Sequence, residues 1–205
     1  PNGAGKSTLF ALLTRLLTAE TGRIEVAGRD MARDPRGALA AIGVVFQQTT
    51  LDLDLTVRRN LSYFAALHGL SGRDAARRID EALDRLDMRE RAGETVRALN
   101  GGHRRRTEIA RSLLHGPSVL LLDEPTVGLD AAARRAITDH VHDLGEEGLT
   151  ILWATHLVDE IRDEDALVML HKGEIIAEGR AGDVAGERPL ADAFLEMTAD
   201  PVLAS

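Results

Sequence analysis

Three apolar runs, each ending abruptly in polar residues, constrain this chain more than anything else in it. They are Ile42-Gly43-Val44-Val45-Phe46, Val119-Leu120-Leu121-Leu122 and Leu149-Thr150-Ile151-Leu152-Trp153-Ala154. Continuous rather than alternating apolar residues are what a strand buried on both faces requires. Helical patterns lie between the runs. Strands alternating with helices predict an α/β fold, with a mostly parallel sheet wrapped on both sides. Each run passes at its C-terminal end into Gln47-Gln48, Asp123-Glu124 or Thr155-His156. Ligands of open α/β sheets bind at such ends.

The first residues supply a reason for a ligand to be there. Pro1-Asn2-Gly3-Ala4-Gly5-Lys6-Ser7-Thr8 matches the phosphate-binding loop G-x-x-x-x-G-K-[ST] from its second position onward. Gly3 and Gly5 let successive N–H groups turn inward toward phosphate oxygens. Lys6 brings a mobile cation to the β- and γ-phosphates, and Ser7 offers a hydroxyl to Mg²⁺. Leu9, Phe10, Leu12, Leu13, Leu16 and Leu17 suit a buried helix whose N-terminus faces the phosphates. Pro1 is not an initiating Met and the loop's opening Gly is missing, so an upstream segment carrying the strand into the loop is expected.

The remaining elements follow from local signals. Residues 23–28 alternate like an edge strand ending in Gly28, and Asp34-Pro35 suits the start of a short helix. Val57, Leu61, Phe64 and Leu67, then Ala76, Ile79, Leu83 and Leu86, recur at helical spacing on either side of Ser71-Gly72. A third helix is predicted from about residue 102 to 115, stopping at Gly116-Pro117. Residues 50–115 thus read as an all-helical insert in an α/β core made of residues 1–49 and 116–205. Further on, a helix over 131–147, a hairpin turning at His171-Lys172-Gly173 and a last helix over 190–197 are expected.

Composition narrows the classes. The 205 residues suffice for one domain with a sizeable core, and 44% hydrophobic with 28% charged residues is ordinary for a soluble protein. A net charge of -8 argues against nucleic acid as a partner. Arg104-Arg105-Arg106 is a local basic patch, read as a solvated helix face. With no cysteine, disulfides and thiolate metal sites are excluded. No run approaches the roughly 20 apolar residues of a membrane span.

Four apolar residues followed by Asp123-Glu124 complete the pattern of a phosphate-loop NTPase. Asp123 would hold Mg²⁺ with Ser7, and Glu124 would polarise the attacking water as general base. Two carboxylates capping the next turn are the structural alternative. Gln47 could ligate Mg²⁺ or the water, and His156 could bond the γ-phosphate, though a lone His at a strand end is more often an ordinary loop residue.

Leu99-Asn100-Gly101-Gly102-His103, together with Asp123-Glu124-Pro125, Gly128-Leu129-Asp130 and Ala154-Thr155-His156, resembles the ATP-binding subunit of an ABC transporter across essentially the whole chain. The resemblance implies a RecA-like phosphate-loop core with an inserted helical subdomain bearing the signature L-S-G-G-Q. It also implies a head-to-tail dimer of identical or paired subunits. There the signature of one subunit caps the γ-phosphate of ATP on the other, and Asp130 couples the two. Glycines at a helix N-terminus offer bare N–H groups to an anion. Asn100 stands where the family has Ser, and its longer amide can still donate to phosphate; His103 stands where the family has Gln.

Within that family, the short insert and lack of cysteine do not fit repair or chromosome ATPases. The segment 192–198 looks like the ending of multidrug, polysaccharide and sodium-efflux subunits, an ABC-2-like type. The signature also resembles a subgroup encoded beside quinoprotein (PQQ-dependent) alcohol dehydrogenases. The resemblance implies ATP and Mg²⁺ as ligands, membrane permeases as separate partner chains, and a place on the cytoplasmic face of the membrane. Leu51, Leu53 and Leu55 would seat a permease helix or belong to the subdomain core. The alternative function is a regulatory or assembly ATPase that moves no solute.

Overall fold

The structure, a computed structural model, describes residues 4–198. The chain divides into two compact units, residues 14–154 and residues 1–13 with 155–205.

In the smaller unit, helix α1 (Lys6–Leu13) begins directly after Gly5, and Phe10 is its buried residue. The expected buried helix does not extend to Leu17. Arg15 takes a φ of 58°, and Leu16 and Leu17 are 71% and 51% exposed. A residue in the left-handed region cannot continue the helix, so the two leucines fall off its apolar face.

The larger unit opens with strands β1 (Glu25–Val26) and β2 (Arg29–Asp30), paired antiparallel. In place of the single edge strand expected here, the chain folds back at Ala27-Gly28, with φ of 50° and 72°. Positive φ at both central residues is what a tight hairpin turn demands. Helix α2 (Pro35–Ala40) starts as predicted. The Asp34 carboxylate accepts the Gly37 N–H at 2.9 Å, and Pro35 fills the first position, where no N–H is needed.

Strands β3 (Ile42–Val45), β4 (Val119–Asp123) and β5 (Thr150–Ala154) form a parallel sheet in the order β3-β4-β5. The register sets Val45 opposite Leu122 and Asp123 opposite Ala154. β4 lies between two strands, and Leu120, Leu121 and Leu122 are buried. β5 lacks the two-sided cover its sequence suggests: it is the outer strand of this sheet, and Leu152 is 38% exposed.

Between β3 and β4 run helices α3 (Val57–Leu67), α4 (Gly72–Arg85) and α5 (Gly101–Leu113), with 3-10 turns at Arg89–Arg91 and Val96–Ala98. Val57, Leu61, Ile79, Leu83 and Ile109 meet in one apolar core, while Leu67 is 64% exposed. Ala76, expected inward, is exposed, and its neighbour Ala75 packs on the core instead. Leu51 belongs to this core and Leu53 packs against it, which favours the structural reading of those leucines. Helix α6 (Ala131–Glu146) buries Ile137, Val141 and Leu144. The chain leaves it at Gly148, whose φ of 98° suits a glycine.

The smaller unit resumes with β6 (Ala166–His171) and β7 (Glu174–Arg180), an antiparallel hairpin turning at Lys172-Gly173 as predicted. Helix α7 (Ala181–Ala185) is too short to show a periodic pattern and has no counterpart among the expected elements. Helix α8 (Leu190–Thr198) follows. Among the described residues no helix is long and apolar enough to cross a membrane.

Candidate nucleotide site

Ala4, Gly5, Lys6, Ser7 and Thr8 form the described part of the phosphate loop, whereas Asn2 and Gly3 lie outside the described residues. Gly5 adopts φ 106°, a conformation side chains resist. The loop is tied to its own unit by the Gly173 N–H, which donates to the Ala4 carbonyl at 3.1 Å. A Cβ on Gly5 would lie 3.6 Å from Gly173 Cα. Ala4 is buried, Lys6 half-buried, and Ser7 and Thr8 exposed at the start of α1. His156, in the same unit, is exposed. Beside it the Thr155 hydroxyl donates to Glu160 at 2.6 Å and accepts the Leu157 N–H at 2.9 Å. Glu160 is 3% exposed; its buried carboxylate organises the loop after His156, a role with no local sequence signal.

The other site residues belong to the larger unit. Because β3 and β4 are parallel and in register, Gln47, after β3, and Asp123-Glu124, at the end of β4, lie at the same end of the sheet. Asp123 is half-buried and Glu124 is 8% exposed. The Glu124 N–H donates to the Ala154 carbonyl at 2.8 Å, and its φ is 47°. A non-glycine residue held in the left-handed region costs on the order of 1 kcal/mol or more, and such residues concentrate at functional sites. No cluster of three or more metal-ligating side chains occurs among the described residues. A phosphate-borne Mg²⁺ needs no such cluster, since it draws on a hydroxyl, one or two carboxylates, water and the phosphates themselves.

The signature residues occupy the start of α5. Leu99 is buried, and Asn100 is the N-cap, its Oδ1 accepting the His103 N–H at 2.9 Å. The cap occupies the carbonyl end of the amide and leaves its NH₂ end for a donor role. Gly101 and Gly102 have a packing reason beside the expected one. A Cβ would come within 3.0 Å of Leu129 Cδ2 at the first and 2.9 Å of Ala133 Cβ at the second. Burial lowers the His103 pKa, reinforced by the nearby Arg91 and Arg106 charges and opposed by Glu94. Asp130 caps α6, its carboxylate accepting the Ala133 N–H at 2.8 Å.

The basic triplet is not a solvated face. The Arg104 Nε and NH2 donate to the carbonyls of Val96 and Arg97 at 3.1 and 2.8 Å. Arg105 is 7% exposed: its NH1 donates to the Phe46 carbonyl and to Glu108, and its NH2 to the Gln47 carbonyl. Burial pushes the Arg105 pKa down, against the opposing pull of Glu108 and Asp123. Charge alone suggests solvent; the peptide carbonyls of the loop after β3 are the partners instead. The alternating charge of Arg105, Glu108 and Arg111 at three-residue spacing was the available signal.

Comparison with known proteins bears on the family and the fold. The sequence profile of the family described as "ABC transporter" matches residues 1–127. The chain is 42% identical over 188 residues to the daunorubicin resistance ATP-binding protein DrrA3 of Streptomyces coeruleorubidus, covering 91% of this chain and 60% of that one. It is 34% identical to the linearmycin resistance ATP-binding protein LnrL of Bacillus subtilis, covering 97% and 64%. With the ABC transporter ATP-binding protein NatA of the same organism it shares 36% identity, covering 87% and 73%. Among solved structures, cbiO1 of Clostridium perfringens, part of the ABC transporter complex cbiONQ, superposes with a TM-score of 0.83 at 29% identity, covering 96% of this chain and 80% of that one. These likenesses, with the parallel sheet and the ordered motifs, place the chain in the ABC transporter family, with the fold of its ATP-binding domain. It spans less than two thirds of the length of the first two relatives.

Proposed function

We propose that this chain is the ATP-binding and hydrolysing part of an ABC transporter, driving solute movement through separate membrane permease chains. The observation that carries the reading is the buried, left-handed Glu124 directly after Asp123, at the same sheet end as the Gln47 loop. A buried carboxylate held in the left-handed region is the kind of backbone strain that concentrates at functional sites.

In this reading residues 2–8 wrap the ATP phosphates. Lys6 would neutralise the β- and γ-phosphates, and Ser7, Asp123 and Gln47 would be the residues to hold Mg²⁺, which would offset phosphate charge. Glu124 takes a proton from the attacking water, Gln47 helps orient that water, and His156 donates to the γ-phosphate. Leu99 through His103 serve the nucleotide of a second subunit in a head-to-tail dimer, and Asp130 links the two sites. Residues 50–115 act as the signature subdomain, inserted into a core of residues 1–49 and 116–205. The permease contact puts the protein on the cytoplasmic face of the membrane. The names of the resistance and transporter relatives support transport over a purely regulatory role.

The test is Glu124→Gln, which keeps the side chain's size and removes its basicity. Hydrolysis is expected to fall by about a hundredfold or more, with ATP binding retained. Near wild-type hydrolysis would remove Glu124 from the role of base.

A further inference from the structure

A stripe of ions is buried on α5. Arg105, Glu108 and Arg111 recur at three-residue spacing, with 7%, 1% and 6% exposure. Removing charges from water is expensive, and a buried ion pair is seldom more stable than a well-packed apolar replacement. What these side chains do, and leucines cannot, is hold the peptide groups of the loop after β3. The Arg105 guanidinium spans two successive carbonyls, Phe46 at 2.7 Å and Gln47 at 2.9 Å. Glu108 bonds Arg105 at 2.8 Å through Oε2 and accepts the Thr50 N–H at 2.9 Å through Oε1. Arg111 donates to the Thr50 carbonyl at 3.2 Å and lies 4.2 Å over the Phe64 ring of α3.

We infer that Arg105, Glu108 and Arg111 form a positioning staple that fixes the Gln47 loop to the helix whose first turn carries Asn100 through His103. Gln47 is itself exposed, and it is the peptide from which its side chain springs that Arg105 grips. The signature residues sit at the N-terminal end of the same helix. A displacement of the Gln47 loop therefore moves Asn100–His103 with it. Resting on the nucleotide reading above, the staple links the γ-phosphate of a chain's own ATP to the signature it offers its partner. The planar fork of a guanidinium is suited to gripping two carbonyls at once, whereas a lysine at 105 would reach only one.

The test replaces the ions by apolar groups of similar size, Arg105→Met with Glu108→Leu, in the full-length chain. Thermal unfolding confirms that the variant is folded, and Glu108→Gln, which keeps an acceptor for Thr50, is the milder second variant. Amide exchange reads the staple without nucleotide: protection at Thr50 is expected to drop roughly tenfold or more in the double variant, while the β4 amides stay protected. In steady-state hydrolysis kcat is expected to fall about tenfold with KM for ATP within about threefold, because positioning rather than binding is lost. Gln47→Ala, costly in the wild type, is expected to cost less than about twofold more in the double variant. Unchanged Thr50 exchange, a wild-type kcat in either folded variant, or a Gln47→Ala effect of equal size in both backgrounds would overturn the staple. A wild-type chain that hydrolyses no ATP, with Thr50 exchange responding as expected, would overturn the nucleotide reading and leave the staple standing.

Discussion

At the scale of single residues, His115 shows how a side chain's chemistry is decided by its surroundings. Its Nε2 lies 3.0 Å from the Ile42 carbonyl. That partner only accepts, so the proton sits on Nε2. Its Nδ1 is buried without a partner among the described residues, and its ring stacks on His68 at 4.2 Å. Burial, the neighbouring His68 and Arg78 hold its pKa below the ordinary 6.5, the bond to Ile42 opposing them. A depressed pKa means that the unfolded chain binds the proton more readily. Stability is therefore full above about pH 6.5 and declines as pH falls through the folded value. Urea midpoints for the wild type and His115→Gln, compared at about pH 7.5 and pH 5.5, are expected to show a smaller loss in the variant. An equal loss would take the effect away from His115. The same dependence on surroundings separates the three arginines at 104–106. They look alike in sequence, yet Arg105 is buried against loop carbonyls and Arg104 bonds the turn before α5.

At the scale of elements, the contact between β3 and α5 governs how the Gln47 loop and the signature helix are presented. Gly43 makes that approach possible: a Cβ there would fall 2.5 Å from the Ser112 carbonyl oxygen and 3.2 Å from Pro117. The first of these is backbone and cannot rotate away. Gly43→Ala is expected to cost ~1–3 kcal/mol of stability in chemical denaturation, the range of overpacked cores. A cost near zero would mean that α5 shifts freely against β3. Most elements are legible in the sequence because their signals are local. Asp34-Pro35 caps and starts α2, Lys172-Gly173 turns β6 into β7, and Gly148 releases the chain from α6. The elements that escape such reading do so for equally physical reasons. The β1–β2 hairpin hides behind a run that reads as one strand, and α7 is too short to show a period. Leu16 and Leu17 continue the apolar run of α1 but not its helix.

At the scale of the whole molecule, the proposed signature and phosphate loop are halves of sites completed by another copy or a paired subunit. A base-deficient chain should therefore trap the closed state. Glu124→Gln with ATP and Mg²⁺ is expected to double the molar mass measured by light scattering, and removal of Mg²⁺ is expected to reverse it. A monomer at saturating ATP would count against a head-to-tail homodimer and leave a paired second subunit as the partner. The candidate site residues follow the same division of legibility as the elements. Asp123, Glu124, Gln47 and the 99–103 motif are readable because each is a short pattern at a strand end or helix start. Glu160, which organises the loop after His156, is not, and the three-residue charge spacing of Arg105, Glu108 and Arg111 shows a pattern without showing what it holds.

By itself, the sequence determined the alternation of strands and helices, the phosphate-loop pattern, and the family to which the chain belongs. All three depend on residues close together along the chain, where spacing alone says which face or which end a side chain occupies. The tertiary structure decided which charges are buried and what they hold. Arg105 reaches Phe46 across 59 residues of sequence, and Arg111 reaches Thr50 across 61. Whether a guanidinium faces water or a pair of carbonyls is settled by what packs against it. No local pattern carries that information, so the link between the Gln47 loop and the signature helix emerges only from the packed fold.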